Sequence, residues 1–378
     1  MPTCGVSTHT QEFNYPHRKY LRAISSASMT SLAETLQQRL SQGAIRASDV
    51  MQLALYHPEE GYYRQPQGRW GWEGQDYYTA LDCGPLLGQT LARRFEAHWR
   101  EMGAPSSYTL LEPGAGRGWL GRDILSHVSP DFLSSLTYLH RDDSPAAQRE
   151  AERVLAPWIS TGQAAVTSQL DTIPPFVGAL FSNELFDALP AQPWRWDGHQ
   201  WLQEVLTLHG SEWQPAEASE AHRWFESQTD ELEAGDGSIW AEALPSVVHD
   251  LAEKLTQGLM IAIDYGESAD RLLAKGADLR RYRHHRVDGK WWEEVGQCDL
   301  TADVDFTRLQ ACWEQEGFHT LSYQPLSHWI RRHALLETWE ATWDALPSEQ
   351  KMRRVNNVLQ LTLPGLLGER FRVLEAQR

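Results

Sequence analysis

The residues best suited to chemistry stand in one run, Glu112-Pro-Gly-Ala-Gly-Arg-Gly118, directly after the apolar stretch Tyr108-Thr-Leu-Leu111. Glycine turns with positive φ and lets backbone approach a bulky ligand. A carboxylate just ahead of those glycines suits hydroxyls or a cationic group, not a pyrophosphate. The combination points to a pocket for S-adenosylmethionine (SAM). A second fingerprint overlaps it. Gly116-Arg-Gly-Trp-Leu-Gly121 satisfies G-x-G-x-x-G, and Asp142 follows at about the distance a dinucleotide fold requires. That reading leaves Glu-Pro-Gly-Ala as an unexplained spacer, yet the loop alone leaves both alternatives standing, beside glycines that merely pack a helix on a strand.

Three further groups could share the site. In His140-Arg-Asp-Asp-Ser-Pro145, a carboxylate can accept both ribose hydroxyls, and Asp142 or Asp143 is the candidate. The bland role for Asp143 or Ser144 is a helix N-cap, and the two roles coexist if Asp142 binds and Ser144 caps. In Phe181-Ser-Asn-Glu-Leu-Phe-Asp-Ala-Leu-Pro190, the polar Asn183, Glu184 and Asp187 interrupt an apolar sequence. Burying carboxylates is costly unless they are paired, which favours a functional account. Asp264-Tyr-Gly266 ends another apolar run.

The elements that position these groups alternate. Strands are expected at 108–111, 136–140, 178–182 and 258–263, with helices from Trp119 to Val128, Pro145 to Leu155 and Val247 to Leu255. Such alternation predicts an α/β fold with a doubly wound, largely parallel sheet. Ligands of such sheets sit at the carboxyl ends of strands, where every residue named above falls. Upstream, Ser31 and Glu34 form a capping box for a first helix, and others follow near Ser48 and from Pro85 to Trp99. The Trp-rich runs 194–196 and 201–204 flank Asp197-Gly198 as an inserted hairpin whose tryptophans pack. Residues 210–237 are acidic and weakly patterned, and a loop-rich insertion is expected there.

Together these segments resemble the MidA-like SAM-dependent methyltransferases, a family that includes a mitochondrial complex I assembly factor methylating arginine. The resemblance runs from about Leu53 to the C-terminus. It rests on Leu55-Tyr-His-Pro-Glu-Glu-Gly-Tyr-Tyr63, Asp76-Tyr-Tyr-Thr79, Glu112 to Gly118, Asn183 to Pro190, Ile263-Asp-Tyr-Gly266, Asp299-Leu-Thr-Ala-Asp-Val-Asp-Phe306 and Gly368-Glu-Arg-Phe371. It implies a class I methyltransferase fold, Rossmann-like, with an N-terminal helical region and inserted elements. SAM is the implied donor and protein arginine the implied acceptor, with a role in respiratory complex assembly. By motif position Glu112, Gly114, Gly116, Gly118, Asp142, Asp76 and Thr79 would hold the cofactor. Asn183, Glu184 and Asp187 would be catalytic, and Asp264 and Tyr265 would meet the acceptor. Two departures mark a divergent branch: Ala80-Leu-Asp-Cys-Gly84 keeps a carboxylate at Asp82 but lacks the family's Pro-Glu, and His140-Arg141 is atypical of the ribose strand. A small-molecule methyltransferase and an assembly scaffold without turnover are the competing readings.

Composition bounds the rest. The 378 residues are 41% hydrophobic and 22% charged, with a net charge of −17 that disfavours nucleic acid as partner. No apolar run has membrane-spanning length. Four scattered cysteines form no C-x-x-C pair, and the histidines no H-E-x-x-H, so reduced thiols and no metal are expected. The expected organisation is an N-terminal extension over 1–30, a helical region over 31–105 and the methyltransferase domain over 106–378, with insertions near 190–245 and 270–300. Residues 1–28 read as a disordered tail, an upstream extension or a transit peptide. The expected location is the cytoplasm, or the mitochondrial matrix in a eukaryote.

Overall fold

The computed structural model describes residues 31–65, 80–276, 278–283, 286–334 and 347–378. Expectations for residues 1–28, Asp76 and Thr79, and for the Asp82 side chain, fall outside the described parts. The described residues open with α1 (Leu32–Gln42), β1 (Ile45–Arg46) and α2 (Ala47–Tyr56). The capping box at Ser31 is formed: the hydroxyl accepts the Glu34 N–H at 3.2 Å, and the Glu34 carboxylate accepts the Ser31 N–H at 2.9 Å. After α3 (Leu86–Glu101) strands and helices alternate, as β2 (Tyr108–Pro113), α4 (Trp119–Leu125), α5 (Pro130–Ser135), β3 (Leu136–Arg141), α6 (Pro145–Val154), α7 (Ala156–Ile159), β4 (Ala164–Thr167) and β5 (Phe176–Asn183). Then come β6 (Ala191–Trp196), β7 (Trp201–Thr207), β8 (Gly210–Pro215), α8 (Glu220–Glu226) and β9 (Gly237–Ala241). The alternation resumes with α9 (Leu244–Ala252), β10 (Leu255–Glu267) and α10 (Ala269–Lys275). Short strands β11 (Arg280–Arg283), β12 (Arg286–Asp288), β13 (Asp299–Thr301) and β14 (Val304–Asp305) precede α11 (Phe306–Gln315) and β15 (His319–Pro325). The chain closes with α12 (Leu326–His333), α13 (Ser348–Thr362), α14 (Leu367–Arg370) and β16 (Phe371–Gln377).

Among the described residues, eight strands form the main sheet in the order β15-β16-β10-β5-β2-β3-β4, with β14 paired to the end of β10. Strands β4, β3, β2, β5 and β10 run parallel and β16 antiparallel. Helices cover both faces, so the central strands are apolar throughout instead of alternating. Leu259 to Ile263 of β10 are all buried. Phe95, Ile124 and Trp329 pack on one face with Leu110 and Phe181, while Leu251, Leu309 and Trp313 pack on the other with Leu111 and Leu180. Strand order reverses between β2 and β5, which opens a crevice at their carboxyl ends.

A second sheet, β1-β7-β6-β9 with β8 on β7, carries the inserted segment. The expected hairpin is β6–β7, with Trp196 opposite Trp201. Trp194, Trp201 and Trp240 are buried together with Phe225, so these tryptophans pack. The expected loop over 210–237 is corrected: it holds β8 and α8. Strand β8 escapes notice because its Gly-Ser-Glu-Trp-Gln-Pro sequence lacks apolar alternation, and backbone pairing along β7 defines it. The first two helices join this sheet, where Val50, Met51 and Ala54 of α2 meet Ala191, Leu206 and Ile239. Helix α3 instead packs on the main sheet. No helix among the described residues is long and apolar enough to cross a membrane.

Candidate active site

Strand β2 runs through Glu112 and Pro113, so the glutamate stands in the strand and the turn starts at Gly114. Gly114, Gly116 and Gly118 all have positive φ, at 68°, 53° and 74°. A side chain would cost roughly 1–2 kcal/mol of left-handed strain at each. A Cβ at Gly114 would lie 2.9 Å from Leu185 Cδ1, and one at Gly118 would lie 3.1 Å from Ala151 of α6. Glu112 is buried and accepts the Tyr138 hydroxyl at 2.5 Å. Burial pushes its carboxyl up to about 8, against the lowering effect of that hydrogen bond. At the end of β3, Asp142 accepts the Gly116 N–H at 2.9 Å and the Ser144 N–H at 2.8 Å. Ser144 caps α6, its hydroxyl accepting the Ala147 N–H.

Of the acceptor-side candidates, Asn183 ends β5 and Glu184 and Asp187 follow it, while Asp264 and Tyr265 lie within β10, which runs to Glu267 and so extends past the expected end at 263. Glu184 adopts φ +53°, a strained conformation for a residue with a side chain. Its N–H donates to the Ile263 carbonyl at 2.9 Å, and its carboxylate accepts Asn183 Nδ2 at 2.9 Å. The Asn183 Oδ1 is buried and has no hydrogen-bond partner among the described residues. Asp264 shapes the turn: its Oδ2 accepts the N–H groups of Leu185, Phe186 and Asp187 at 3.1, 2.8 and 3.4 Å. Its Oδ1 accepts the Tyr265 N–H at 2.9 Å, and the side chain has no exposure. Burial and then the neighbouring Asp187 hold Asp264 well above the usual carboxylate range. Burial also raises Asp187, to about 7, although the Arg280 guanidinium opposes this. The Tyr265 ring packs on Phe371 at a tilt of 32°, with ring centroids 4.0 Å apart. Thus the loop after β2 and the turn after β5 meet, Leu185 seated against Gly114.

A model of the family described as "Putative S-adenosyl-L-methionine-dependent methyltransferase" matches residues 90–324, which include both halves of this site. The chain belongs to this family. It is 30% identical over 382 residues to the mitochondrial "protein arginine methyltransferase NDUFAF7 homolog" of Drosophila melanogaster, covering 91% of this chain and 84% of that protein. The human mitochondrial protein arginine methyltransferase NDUFAF7 is 24% identical over 352 residues, covering 82% and 75%. The crystal structure of a COG1565 superfamily member from Burkholderia thailandensis, bound to S-adenosyl-homocysteine, superimposes with a TM-score of 0.80. At 22% identity over 93% of this chain and 95% of that one, it shares the fold. The sheet is therefore that of a SAM-dependent methyltransferase, and the overlapping dinucleotide fingerprint is set aside.

The residues present fit the methyltransferase cofactor. A buried carboxyl at Glu112 and the partly committed carboxylate of Asp142 offer acceptors for an ammonium group and hydroxyls. The positive-φ loop between them brings backbone close. Several groups beside the site escaped sequence reasoning. Tyr56 Oη donates to the Ala188 carbonyl at 2.9 Å, Tyr63 Oη to Asp299 Oδ1 at 2.8 Å, and Arg64 Nη1 to the Asp143 carbonyl at 2.6 Å. The stretch 56–64 thereby bridges the turn after β3, the segment after β5 and β13. Arg280 pairs with Asp303 at 2.7 Å, while its Nε and Nη2 are buried without hydrogen-bond partners among the described residues. The usable signal for Tyr56, Tyr63 and Asp299 was their place in motifs of the family resemblance; nothing marked Arg280.

Proposed function

We propose that this methyltransferase transfers the methyl group of SAM to an arginine side chain of a partner protein. The observation that carries the reading is the turn 183–187, with its carboxylates and its Asn183 carbonyl, packed against the cofactor loop through Leu185 and Gly114. A guanidinium is cationic and planar, and carboxylates with an amide carbonyl match its donors. The printed names of the fly and human relatives support the same acceptor.

When bound, SAM supplies a methyl group on a positively charged sulfonium. Glu112 and Asp142 would hold its polar groups, with Gly114, Gly116 and Gly118 shaping the loop; Asp76 and Thr79 keep their proposed cofactor role. Glu184 and Asn183 would orient the guanidinium. Asp187, once ionised, would balance its charge. Orientation of this kind supplies most of what a displacement reaction needs from a protein. Asp264 would act beneath the turn by fixing its backbone, not by touching the acceptor, since its oxygens already serve four N–H groups. Tyr265 is left to wall the acceptor side. The fly and human relatives carry the word mitochondrial in their names, which supports the mitochondrial matrix as the location if this chain is eukaryotic; in a bacterium the reaction would belong to the cytoplasm.

Incubating cell lysate with radiolabelled SAM and the protein tests the acceptor class. The reading predicts label in a protein band. Label confined to a soluble small product would overturn it.

A further inference from the structure

The end of β3 grips the cofactor loop by its backbone. The Arg141 carbonyl accepts the Ala115 N–H at 3.2 Å, and Asp142 Oδ2 accepts the Gly116 N–H at 2.9 Å. The third contact is the Gly116 carbonyl, 2.7 Å from His140 Nε2. A carbonyl can only accept, so Nε2 carries the proton and Nδ1 presents a lone pair. The imidazole has no exposure, and its Nδ1 is buried without a hydrogen-bond partner among the described residues.

We propose that His140 is a positioning residue of the cofactor site, fixing the Gly116 carbonyl so that the loop keeps its cofactor-ready shape. Gly116 sits at φ +53° and is held at both its polar groups by residues two apart in sequence. Neither contact alone sets that peptide: an N–H anchored to Asp142 still permits rotation about the following bond. An apolar residue at 140 would pack in the same place, directly beside Glu112 in the β2–β3 register, with no orphaned nitrogen. It would also leave the Gly116 carbonyl without this donor. A buried polar group carrying an unsatisfied atom calls for a compensating role, and this hydrogen bond provides one. Burial holds the imidazole below its ordinary range, in keeping with a neutral ring.

The variants H140L and H140Q separate positioning from packing. Binding of S-adenosyl-homocysteine, measured by calorimetry, should weaken about tenfold in H140L, the scale of one lost hydrogen bond. H140Q, whose amide can donate to the same carbonyl, should recover most of the affinity. Hydrogen exchange at the Gly116 amide should speed up in H140L and stay slow in H140Q. Affinity in H140L within twofold of wild type, or H140Q as weak as a folded H140L, would overturn the proposal. Should H140L fail to fold, nitrogen NMR of the wild type decides: the Nε2–H tautomer supports the assignment and the Nδ1–H tautomer refutes it.

Discussion

The Tyr138 hydroxyl donates to the Glu112 carboxyl at 2.5 Å, and it reaches that position over Gly121. A Cβ on Gly121 would lie 2.2 Å from the tyrosine ring. The glycine that completes the G-x-G-x-x-G pattern thus serves a strand-to-helix approach that sets the Glu112 carboxyl. G121A should displace the ring and cost about 1–3 kcal/mol by overpacking. Urea unfolding measures the loss; a stability equal to wild type would show that the ring has room to move.

Glu112 holds its proton up to about 8 in the free protein. The positive charges of SAM favour the carboxylate, so binding near neutrality should release a proton. Affinity should therefore rise with pH up to about 8 and level off above it. Calorimetry in two buffers of different ionisation enthalpy reads the released proton directly. E112Q should bind without that dependence.

Asp187 keeps its proton up to about 7 in the fold, whereas an unfolded aspartate loses it near 3.9. Between those values the native state binds more protons than the unfolded chain, so this residue lowers stability as pH rises toward 7. D187N cannot ionise. It should be more stable than wild type at alkaline pH, match it most closely below about 3.9, where the wild-type aspartate is protonated folded and unfolded, and be impaired in transfer. Parallel stability curves for the two proteins would contradict a buried, protonated Asp187.

Left-handed strain at Glu184 makes a second trade of stability against activity. E184G removes the strain and should gain up to about 1 kcal/mol. Thermal unfolding and methyl transfer on the same samples would show a more stable, inactive protein. A destabilised E184G would mean that the side-chain contact with Asn183 outweighs the strain.

The alternating strands and helices, and the ligand edge they create, were legible because parallel strands buried on both faces are continuous apolar runs. The donor loop was legible because its positive-φ turn demands glycine. Other features were hidden by sequence separation or weak pattern. Tyr63 meets Asp299 across 236 positions, a pairing no local period announces. Strand β8 rests on backbone pairing, and Arg195 of β6, one strand beyond β7, lies 4.1 Å from the centroid of its Trp213 ring. Asp264 accepts the N–H groups of Leu185, Phe186 and Asp187 across 77 to 79 positions, a support of the turn that no local pattern marks.

The most direct test is to hydrolyse the protein band labelled by radioactive SAM and to identify the methylated residue, comparing wild type with E184Q. Methylarginine should be found with wild type, and its yield should fall at least a hundredfold, on the order of losing one oriented electrostatic contact, with E184Q. Binding of S-adenosyl-homocysteine should be unchanged in that variant. Label on another residue type, or undiminished methylarginine with E184Q, would contradict the acceptor site described.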